Sequence, residues 1–208
     1  MGPYCHHSVS LVLAGPDRRL EDNPELEACL FGTPDWSGSG KETQTFVLLE
    51  AARFFGLPEM LETSGLEYGC LFQGGSSSEL ADVAPYLLRL TPDAELLRHL
   101  LSGRGPDDPP WQMWPRAGAC FLRSAADLTT LIKHFRKFTR VFDERTGRWN
   151  YFRFYAPEVM LSVVANMERA QFERFTKGID YFAVPNGTDN LAILRLEASV
   201  PIEAAAAC

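Results

Sequence analysis

The chain has 208 residues, of which 46% are hydrophobic and 23% are charged, and its formal net charge at pH 7 is −7. A chain of this length and composition can bury a core, so we expect a folded globular protein. The negative charge disfavours general nucleic-acid binding, which requires cations that displace counterions from phosphates. The apolar runs are far shorter than the roughly 20 residues that span a bilayer, so we expect no membrane segment.

Five cysteines are scattered along the chain, and none forms a Cys-x-x-Cys pair. This usage favours free thiols in a reducing compartment over a disulfide framework. The apolar run at residues 9–14 is too short for a secretory signal, and no Lys or Arg precedes it. We therefore expect a cytoplasmic protein.

Periodicity and turn residues divide the chain into short elements. In chain order, the predicted elements are a strand at 8–14, a strand at 45–49, a helix at 50–61, a strand at 68–72, a strand at 84–90, a helix at 91–101, a strand at 117–122, a helix at 124–140, a strand at 149–155, a helix at 157–176 and a strand at 191–196. Strands that alternate with helices predict an α/β (α+β) protein with a mixed β-sheet and flanking helices.

The predicted organisation begins with an N-terminal lead segment and linker at residues 1–42. The main domain follows at 43–200. Within it we expect an α/β lobe at about 43–123 and a more helical lobe at about 124–184, and residues 201–208 form a frayed tail.

Two segments contain residue types that bind phosphate or metal, but neither has the full pattern. Residues 38–41 (Gly-Ser-Gly-Lys) are similar to a phosphate-binding loop, but Asp35 replaces its first glycine and Glu42 replaces its Ser or Thr. The Cys-His-His run at residues 5–7 has no second pair of ligands to complete a four-coordinate site. We therefore expect no cofactor and no metal.

The serine-rich loop at 74–78 is the candidate for nucleophilic catalysis. A serine nucleophile requires a base within reach and is often carried on a Gly-x-Ser-x-Gly elbow, which this loop lacks. We expect no catalysis and keep a small hydrolase that uses this loop as the alternative. A structure that places His99 or His134 within hydrogen-bond reach of a serine in the loop would favour that alternative.

The predicted helix at 124–140 carries five basic side chains opposite its apolar face. They are Lys133, His134, Arg136, Lys137 and Arg140. Cations toward the C-terminal end suit the helix dipole, and a solvated face is their most common role. A docking site for an acidic partner is the alternative that composition leaves open.

The predicted helix at 157–176 is rich in Met and Phe. Such residues usually form a core, but Met160, Met167, Phe172 and Phe175 extend around more than one side of this helix. Flexible methionines beside aromatic rings can repack around a partner helix. The pattern therefore also indicates a protein-binding surface.

Two motifs identify a family. The first is Val-Ala-Pro-Tyr-Leu at residues 83–87, and the second is Phe-Arg-Phe-Tyr-x-Pro at residues 152–157. Together with the segments at 47–52 and 70–75, they stand in an order that resembles the domain-of-unknown-function 4123 family, the adaptor chaperones of bacterial type VI secretion. The resemblance covers about residues 44–184.

The resemblance implies an adaptor that binds a cognate effector toxin in the bacterial cytoplasm and delivers it to the VgrG spike, without catalysis. It implies neither a nucleic-acid nor a membrane partner. The motif residues that carry over are Ala84, Pro85, Tyr86, Leu87, Phe152, Arg153, Phe154, Tyr155 and Pro157. Those we expect to be structural are Pro85, Tyr86, Phe152, Phe154 and Pro157. An immunity protein that neutralises a toxin is a second alternative.

Our hypothesis for binding is a groove in the C-terminal helices that takes an apolar, helical N-terminal segment of the effector. The predicted effector-binding residues are Arg153, Tyr155, Met160, Met167, Phe172 and Phe175. Arg153 is the proposed polar anchor for a client carboxylate, with aromatic rings beside it. The equal alternative is that Arg153 pairs with an acidic residue of its own fold.

The chain departs from the family at one position. The family usually has Asp between the Tyr and Pro of the second motif, where this chain has Ala156. An Asp before Pro157 would be an N-cap that accepts hydrogen bonds from the first turn of a helix, and Ala cannot replace it, at a cost of about 1 kcal/mol. We therefore expect Ala156→Asp to raise the melting temperature.

Overall fold

The structure, a computed structural model, describes residues 7–10, 20–33, 42–54, 56–74, 79–103, 107, 112–114, 118–187 and 190–196. The strands of these residues are β1 (His7–Ser10), β2 (Gln44–Glu50), β3 (Tyr68–Cys70), β4 (Pro85–Leu90), β5 (Cys120–Ser124), β6 (Arg140–Asp143), β7 (Arg148–Tyr151), β8 (Tyr181–Pro185) and β9 (Asn190–Leu194). The α-helices are α1 (Pro24–Leu30), α2 (Leu57–Thr63), α3 (Glu95–Leu101), α4 (Leu128–Phe135), α5 (Pro157–Ser162) and α6 (Arg169–Phe175). Across the described ranges, no helix combines the length and hydropathy needed to cross a membrane.

Seven strands form one sheet in the order β1-β9-β8-β5-β2-β4-β3, and β6 pairs with β7 in a separate hairpin. The predicted α+β class is confirmed. The predicted mixture of parallel and antiparallel strands is corrected, because every strand pair among the described residues is antiparallel. Helices between strands suggested parallel crossovers, but β2 and β4 pair antiparallel although α2 and β3 lie between them in the chain.

The central strands of the sheet are apolar on both faces. In β2, Phe46 and Leu48 belong to one layer of the core, Val47 and Leu49 belong to the other, and all four side chains are buried. This division follows from the alternation of side chains along a strand. A sheet that is apolar on both faces is stable in water only when both faces are covered.

In the described part of the chain, three helices cover each face. On the first face, α1, α2 and α3 contribute Leu30, Leu57 and Leu97 to the core, and on the second, α4, α5 and α6 contribute leucine, methionine and phenylalanine side chains. The architecture is an α–β–α sandwich. Because α2 and α3 fall in the predicted lobe at 43–123 and α4 to α6 in the predicted lobe at 124–184, the two predicted lobes share one sheet.

Phe175 lies at the centre of an aromatic cluster on the second face. Its ring centroid is 5.2 Å from that of Phe138, 5.3 Å from Phe154, 5.7 Å from Phe182 and 6.0 Å from Phe135. Aromatic pairs at such distances contribute beyond the burial of their area. The cluster therefore joins α4, α6, β8 and the second sequence motif.

The long helix predicted at 157–176 is corrected to two short helices. A 3₁₀ turn at Val164–Asn166 separates α5 from α6. The side-chain amide of Asn166 donates to the carbonyls of Leu161 and Ser162 at 3.4 and 3.1 Å, which satisfies acceptors at the end of α5. Hydrophobic periodicity continues through the break and therefore does not reveal it.

The helix predicted at 124–140 is also shorter in the structure. Asp127 is the N-cap of α4 and accepts from the backbone N–H of Thr130 at 2.7 Å, so the helix begins after Asp127 and not at Ser124. Arg140 belongs to β6.

Part of the predicted lead segment is integrated into the sandwich. β1 pairs with β9, and the buried guanidinium of Arg123 in β5 donates to the carbonyls of Leu30 and Gly32 at 2.5 and 2.9 Å. The same guanidinium donates to the hydroxyl groups of Thr43 and Thr45. A cation at the carbonyl end of α1 suits the direction of the helix dipole.

The N-cap position predicted at Ala156 is present, which allows a test of the missing cap. The carbonyl of Ala156 accepts from the N–H groups of Val159 and Met160, and no side chain caps α5. We expect Ala156→Asp to raise the melting temperature, because its carboxylate supplies an acceptor worth about 1 kcal/mol. Thermal unfolding followed by circular dichroism measures the change.

Ala165→Asp is the matched control, since Ala165 is also buried but lies outside a helix N-cap. It should lower the melting temperature because the carboxylate loses its hydration without a cap to satisfy it. Equal losses in the two variants would show that the cost of burying the carboxylate exceeds the gain from the cap.

Candidate functional site

The β6–β7 hairpin projects a row of aromatic side chains. Cross-strand partners lie on the same face of an antiparallel pair, and the register pairs Arg140 with Tyr151 and Phe142 with Trp149. The rings of Phe142 and Trp149 are 5.4 Å apart, and the guanidinium of Arg140 lies 5.4 Å from the centroid of the Trp149 ring. We call these four side chains the aromatic face.

The aromatic face is open to solvent. Trp149 is 59% exposed, Tyr151 51% and Phe142 50%. With Val141, these residues account for half of the eight large hydrophobic side chains that are exposed among the described residues. Scattered exposed apolar residues need no explanation, but a cluster on one element indicates an interaction surface.

The tip of the hairpin is a closed turn. The carboxylate of Asp143 accepts from the N–H of Arg145 at 2.9 Å and from the hydroxyl of Thr146 at 2.8 Å. The hydroxyl bond to Thr146 lowers the pKa of Asp143, so the carboxylate stays ionised at neutral pH. Gly147 has φ of 65°, a left-handed conformation that glycine adopts without strain.

A cleft of about 180 Å³ lies at the base of the hairpin. Its lining includes Phe72, Arg136, Thr139, Arg140 and Tyr151. The ring of Tyr151 packs 4.8 Å from that of Phe72. Arg136 donates to the carbonyl of Cys70 in edge strand β3 at 2.8 Å, so one arginine of the cleft is fixed to the sheet. We call this feature the basic cleft.

The hairpin is connected to the sandwich through an ion-pair network at the end of β2. Glu50 is buried, and its carboxylate accepts from Arg153 at 2.8 and 2.6 Å and from Arg53 at 3.2 Å. Arg53 also pairs with Glu158 in α5. Two parallel bonds from one guanidinium fix its orientation as well as its position.

The network shifts the pKa values of its members in the expected directions. The bond to Glu50 raises the pKa of Arg153. Burial acts to raise the pKa of Glu158, but hydrogen bonds from its own backbone N–H and from Arg53 outweigh burial and lower it. Burial, followed by the charge of Glu50, raises the pKa of Tyr155 to about 12. All three therefore keep one protonation state near neutral pH.

Most of the predicted effector-binding residues lie in the core of the protein. Tyr155, Met160, Phe172 and Phe175 are core residues with at most 2% exposure, and Met167 packs against the same core. These side chains face the sheet because covering its second face is their role in the sandwich. The four fully packed side chains offer no surface to a partner in this conformation, and Met167 is partly exposed.

Arg153 pairs with Glu50 of its own fold, which is the second of the two roles considered for it in the sequence analysis. Its side chain is nevertheless 48% exposed. The strand predicted at 149–155 ends at Tyr151, so Arg153 lies in the irregular segment that follows and not on a strand face.

The motif residues expected to be structural are placed in or against the core. Pro85 begins β4, and the hydroxyl of the buried Tyr86 donates to the carbonyl of Ala81 at 3.2 Å. Phe154 is fully buried, and Phe152 is partly buried and packs against the second core layer. Pro157 is buried at the first position of α5.

Ser76, Ser77 and Ser78, the serines of the hydrolase alternative, lie outside the described residues. The same holds for the predicted segments at residues 5–6, 11–14 and 38–41. His134 is engaged elsewhere, with Nε2 2.7 Å from the carbonyl oxygen of Phe175. Within the described ranges, no group of three or more His, Cys, Asp or Glu side chains is arranged to hold a metal ion.

Sequence reasoning missed β6 and Glu50. The run Thr139-Arg-Val-Phe-Asp143, followed by a Gly-containing turn and an aromatic segment, is typical of a hairpin. The helical periodicity assigned to residues 124–140 concealed it. Glu50 gives no local signal, because its partner is 103 residues away in the chain.

Comparison with protein families supports the resemblance drawn from the motifs. A family model described as "Domain of unknown function (DUF4123)" matches residues 45–174. The chain belongs to this family. The matched region of this DUF4123 member includes the hairpin, the basic cleft and the ion-pair network. Comparisons with curated proteins and with solved structures found no match.

We predict that Glu50→Gln lowers the free energy of unfolding by about 2 kcal/mol, because it weakens hydrogen bonds from two arginines to a buried acceptor. Arg153→Gln should cost less than about 1 kcal/mol, since Arg153 is half exposed and its pairing is screened by water. Urea denaturation of the single and double variants gives the coupling energy.

The control is Arg89→Gln, which breaks an exposed pair with Glu67 and should change stability by roughly zero to 1 kcal/mol. Strictly additive effects of Glu50→Gln and Arg153→Gln would show that this pair does not form in solution.

His134 should make stability depend on pH. Burial lowers its pKa below the ordinary 6.5, and the charges of Lys137 and Lys177 act in the same direction. The unfolded chain therefore binds the proton more tightly, and stability should fall as the pH drops from above 6.5 through the lower folded pKa. Urea denaturation at about pH 7.5 and about pH 5.5, on either side of the ordinary pKa, measures the loss.

In His134→Gln this part of the loss should disappear, because glutamine does not titrate. Identical pH dependence in the wild type and the variant would contradict the lowered pKa.

Proposed function

We propose that this protein is an adaptor chaperone of bacterial type VI secretion. In this proposal it binds a cognate effector toxin in the cytoplasm and presents it to the VgrG spike. Membership of the DUF4123 family supports the proposal through the resemblance of its two motifs. The observation that carries it is the exposed aromatic face of the β6–β7 hairpin, which lies outside the core layers of the sandwich.

The aromatic face has the composition of a binding hot spot. Tryptophan, tyrosine and arginine are the residues that most often dominate interface energies. Fully burying a side chain as large as phenylalanine contributes about 1.5–3 kcal/mol. Three such rings can therefore anchor a client segment, provided that the partner covers them together.

Binding of this kind would also explain a chaperone role. A partner that binds the folded client lowers the unfolded and aggregated fractions by mass action. The client segment we propose is apolar, and the hairpin shields it until transfer. We propose the docking surface on the hairpin and not on the C-terminal helices, where Met160, Phe172 and Phe175 are buried.

The proposal is tested by Trp149→Ser in the full chain. Each candidate toxin gene found beside the gene for this chain in its native genome is co-expressed with wild type or variant, and co-purification, soluble toxin yield and secretion into the medium are measured. We expect Trp149→Ser to lose the toxin while its melting temperature stays close to that of wild type, because Trp149 is largely exposed.

Val83→Ser is the matched control, since Val83 is also exposed but lies outside the hairpin. It should retain the toxin. Secretion that persists without this protein would refute the adaptor function, and neutralised toxicity without any effect on secretion would favour the immunity-protein alternative. Turnover of an ester or peptide substrate by the pure protein would favour the hydrolase alternative.

A further inference from the structure

We propose that the hairpin selects client segments in which an acidic side chain lies beside an apolar or aromatic one. The carboxylate binds Arg136 and Arg140 in the basic cleft, and the apolar neighbour packs on the aromatic face. This inference rests on the proposed function and specifies the chemistry of its partner.

Charge is the first observation behind this inference. Residues 133–151 contain six Lys or Arg residues and two Asp or Glu residues, in a chain whose net charge is −7. The positive charge is therefore concentrated on α4 and the hairpin, while the rest of the chain is strongly acidic. A surface with this asymmetry attracts an acidic segment to one place and repels it from the others.

The second observation is that the arginines of the basic cleft lack acidic partners. Within the described residues, no carboxylate lies within ion-pair distance of Arg136 or Arg140. Arg136 is held by the carbonyl of Cys70, and its buried Nε makes no hydrogen bond in the described part of the chain. By contrast, Arg53, Arg89 and Arg153 are each paired with a glutamate.

The third observation is that the arginines of the basic cleft lie close to the aromatic rings of the hairpin. Arg140 lies against Trp149, and Tyr151 lines the same cleft as both arginines. An acidic residue and an apolar residue that are adjacent in a client can therefore bind together. A guanidinium beside a ring also keeps its charge available, because the ring contributes a cation–π contact without neutralising it.

The size of the cleft favours a side-chain carboxylate over a polyanion. A volume of about 180 Å³ admits a small group, whereas nucleic acids and anionic membranes require an extended basic surface. The negative charge on the rest of the chain also disfavours binding to nucleic acids and to anionic membranes. A protein segment is thus the occupant that agrees with cleft size, ring content and charge.

The inference is tested with a phage-displayed library of random linear peptides, selected on the full-length wild type. We expect enrichment of peptides with Asp or Glu next to an aromatic or aliphatic residue. A selected peptide and its Glu→Gln analogue are then synthesised, and fluorescence anisotropy measures their affinities. The acidic form should bind at least about tenfold more tightly, with an advantage that shrinks as salt rises.

Arg140→Glu should remove or invert the preference for the acidic peptide, while Arg140→Lys should retain most of it. Arg98→Gln is the control for loss of one exposed positive charge elsewhere, and it should leave the preference unchanged. Melting curves of each variant show that the fold is intact. If Arg140→Glu fails to fold, Arg136→Lys, which keeps the charge but loses the planar fork, should weaken acidic binding several-fold.

Several outcomes would overturn the inference. They are selection of peptides without acidic residues, no enrichment at all, equal affinity for the Glu and Gln peptides, or tighter binding of a single-stranded oligonucleotide or of phosphatidylglycerol vesicles than of the acidic peptide. The two proposals can fail separately. Loss of the toxin in Trp149→Ser with no effect of Arg140→Glu would refute only the acidic preference, and acidic peptide binding without toxin binding would refute only the adaptor role.

Discussion

The constraint on which the structure depends is that its central sheet is apolar on both faces. Strands β2, β4, β5, β8 and β9 place apolar side chains alternately into two core layers, and each layer must be covered by helices. Covering the second face consumes the apolar side chains of α4, α5 and α6. The aromatic residues on the exposed face of the hairpin are not used in this way, which is why a binding surface is proposed there.

The pairing of Glu50 with Arg153 links this constraint to the site. Glu50 ends the central strand β2, and Arg153 follows the hairpin by two residues. An isolated two-stranded hairpin is marginally stable in water. The ion pair, the packing of Tyr151 on Phe72 and the bond from Arg136 to Cys70 fix its base to the sheet. A rigid base lowers the entropy lost when a partner binds.

The sequence predicts the class of the fold because apolar runs and turn residues are local signals. It predicts the N-cap position at Ala156 for the same reason. It does not predict which face of an apolar helix meets the sheet. For this reason the sequence predicts Met160 and Phe175 in a groove, whereas the structure has them in the core. Nor can it pair Glu50 with Arg153, because their contact depends on the topology of the whole sheet. The family resemblance depends on the order and spacing of the two motifs. Both can be seen in the sequence without knowing how these side chains pack or pair.

The proposed adaptor would have to bind its client and also release it, and the two parts of the site suit these different demands. Concentrated positive charge on an acidic protein accelerates and orients the encounter, an effect that acts mainly on the association rate. Buried aromatic contacts act mainly on the dissociation rate, which sets how long a complex lasts. Because Arg140 is exposed to solvent beside the Trp149 ring, its charge can guide an acidic segment without holding it permanently. Transfer to another partner then requires only that the rings be uncovered.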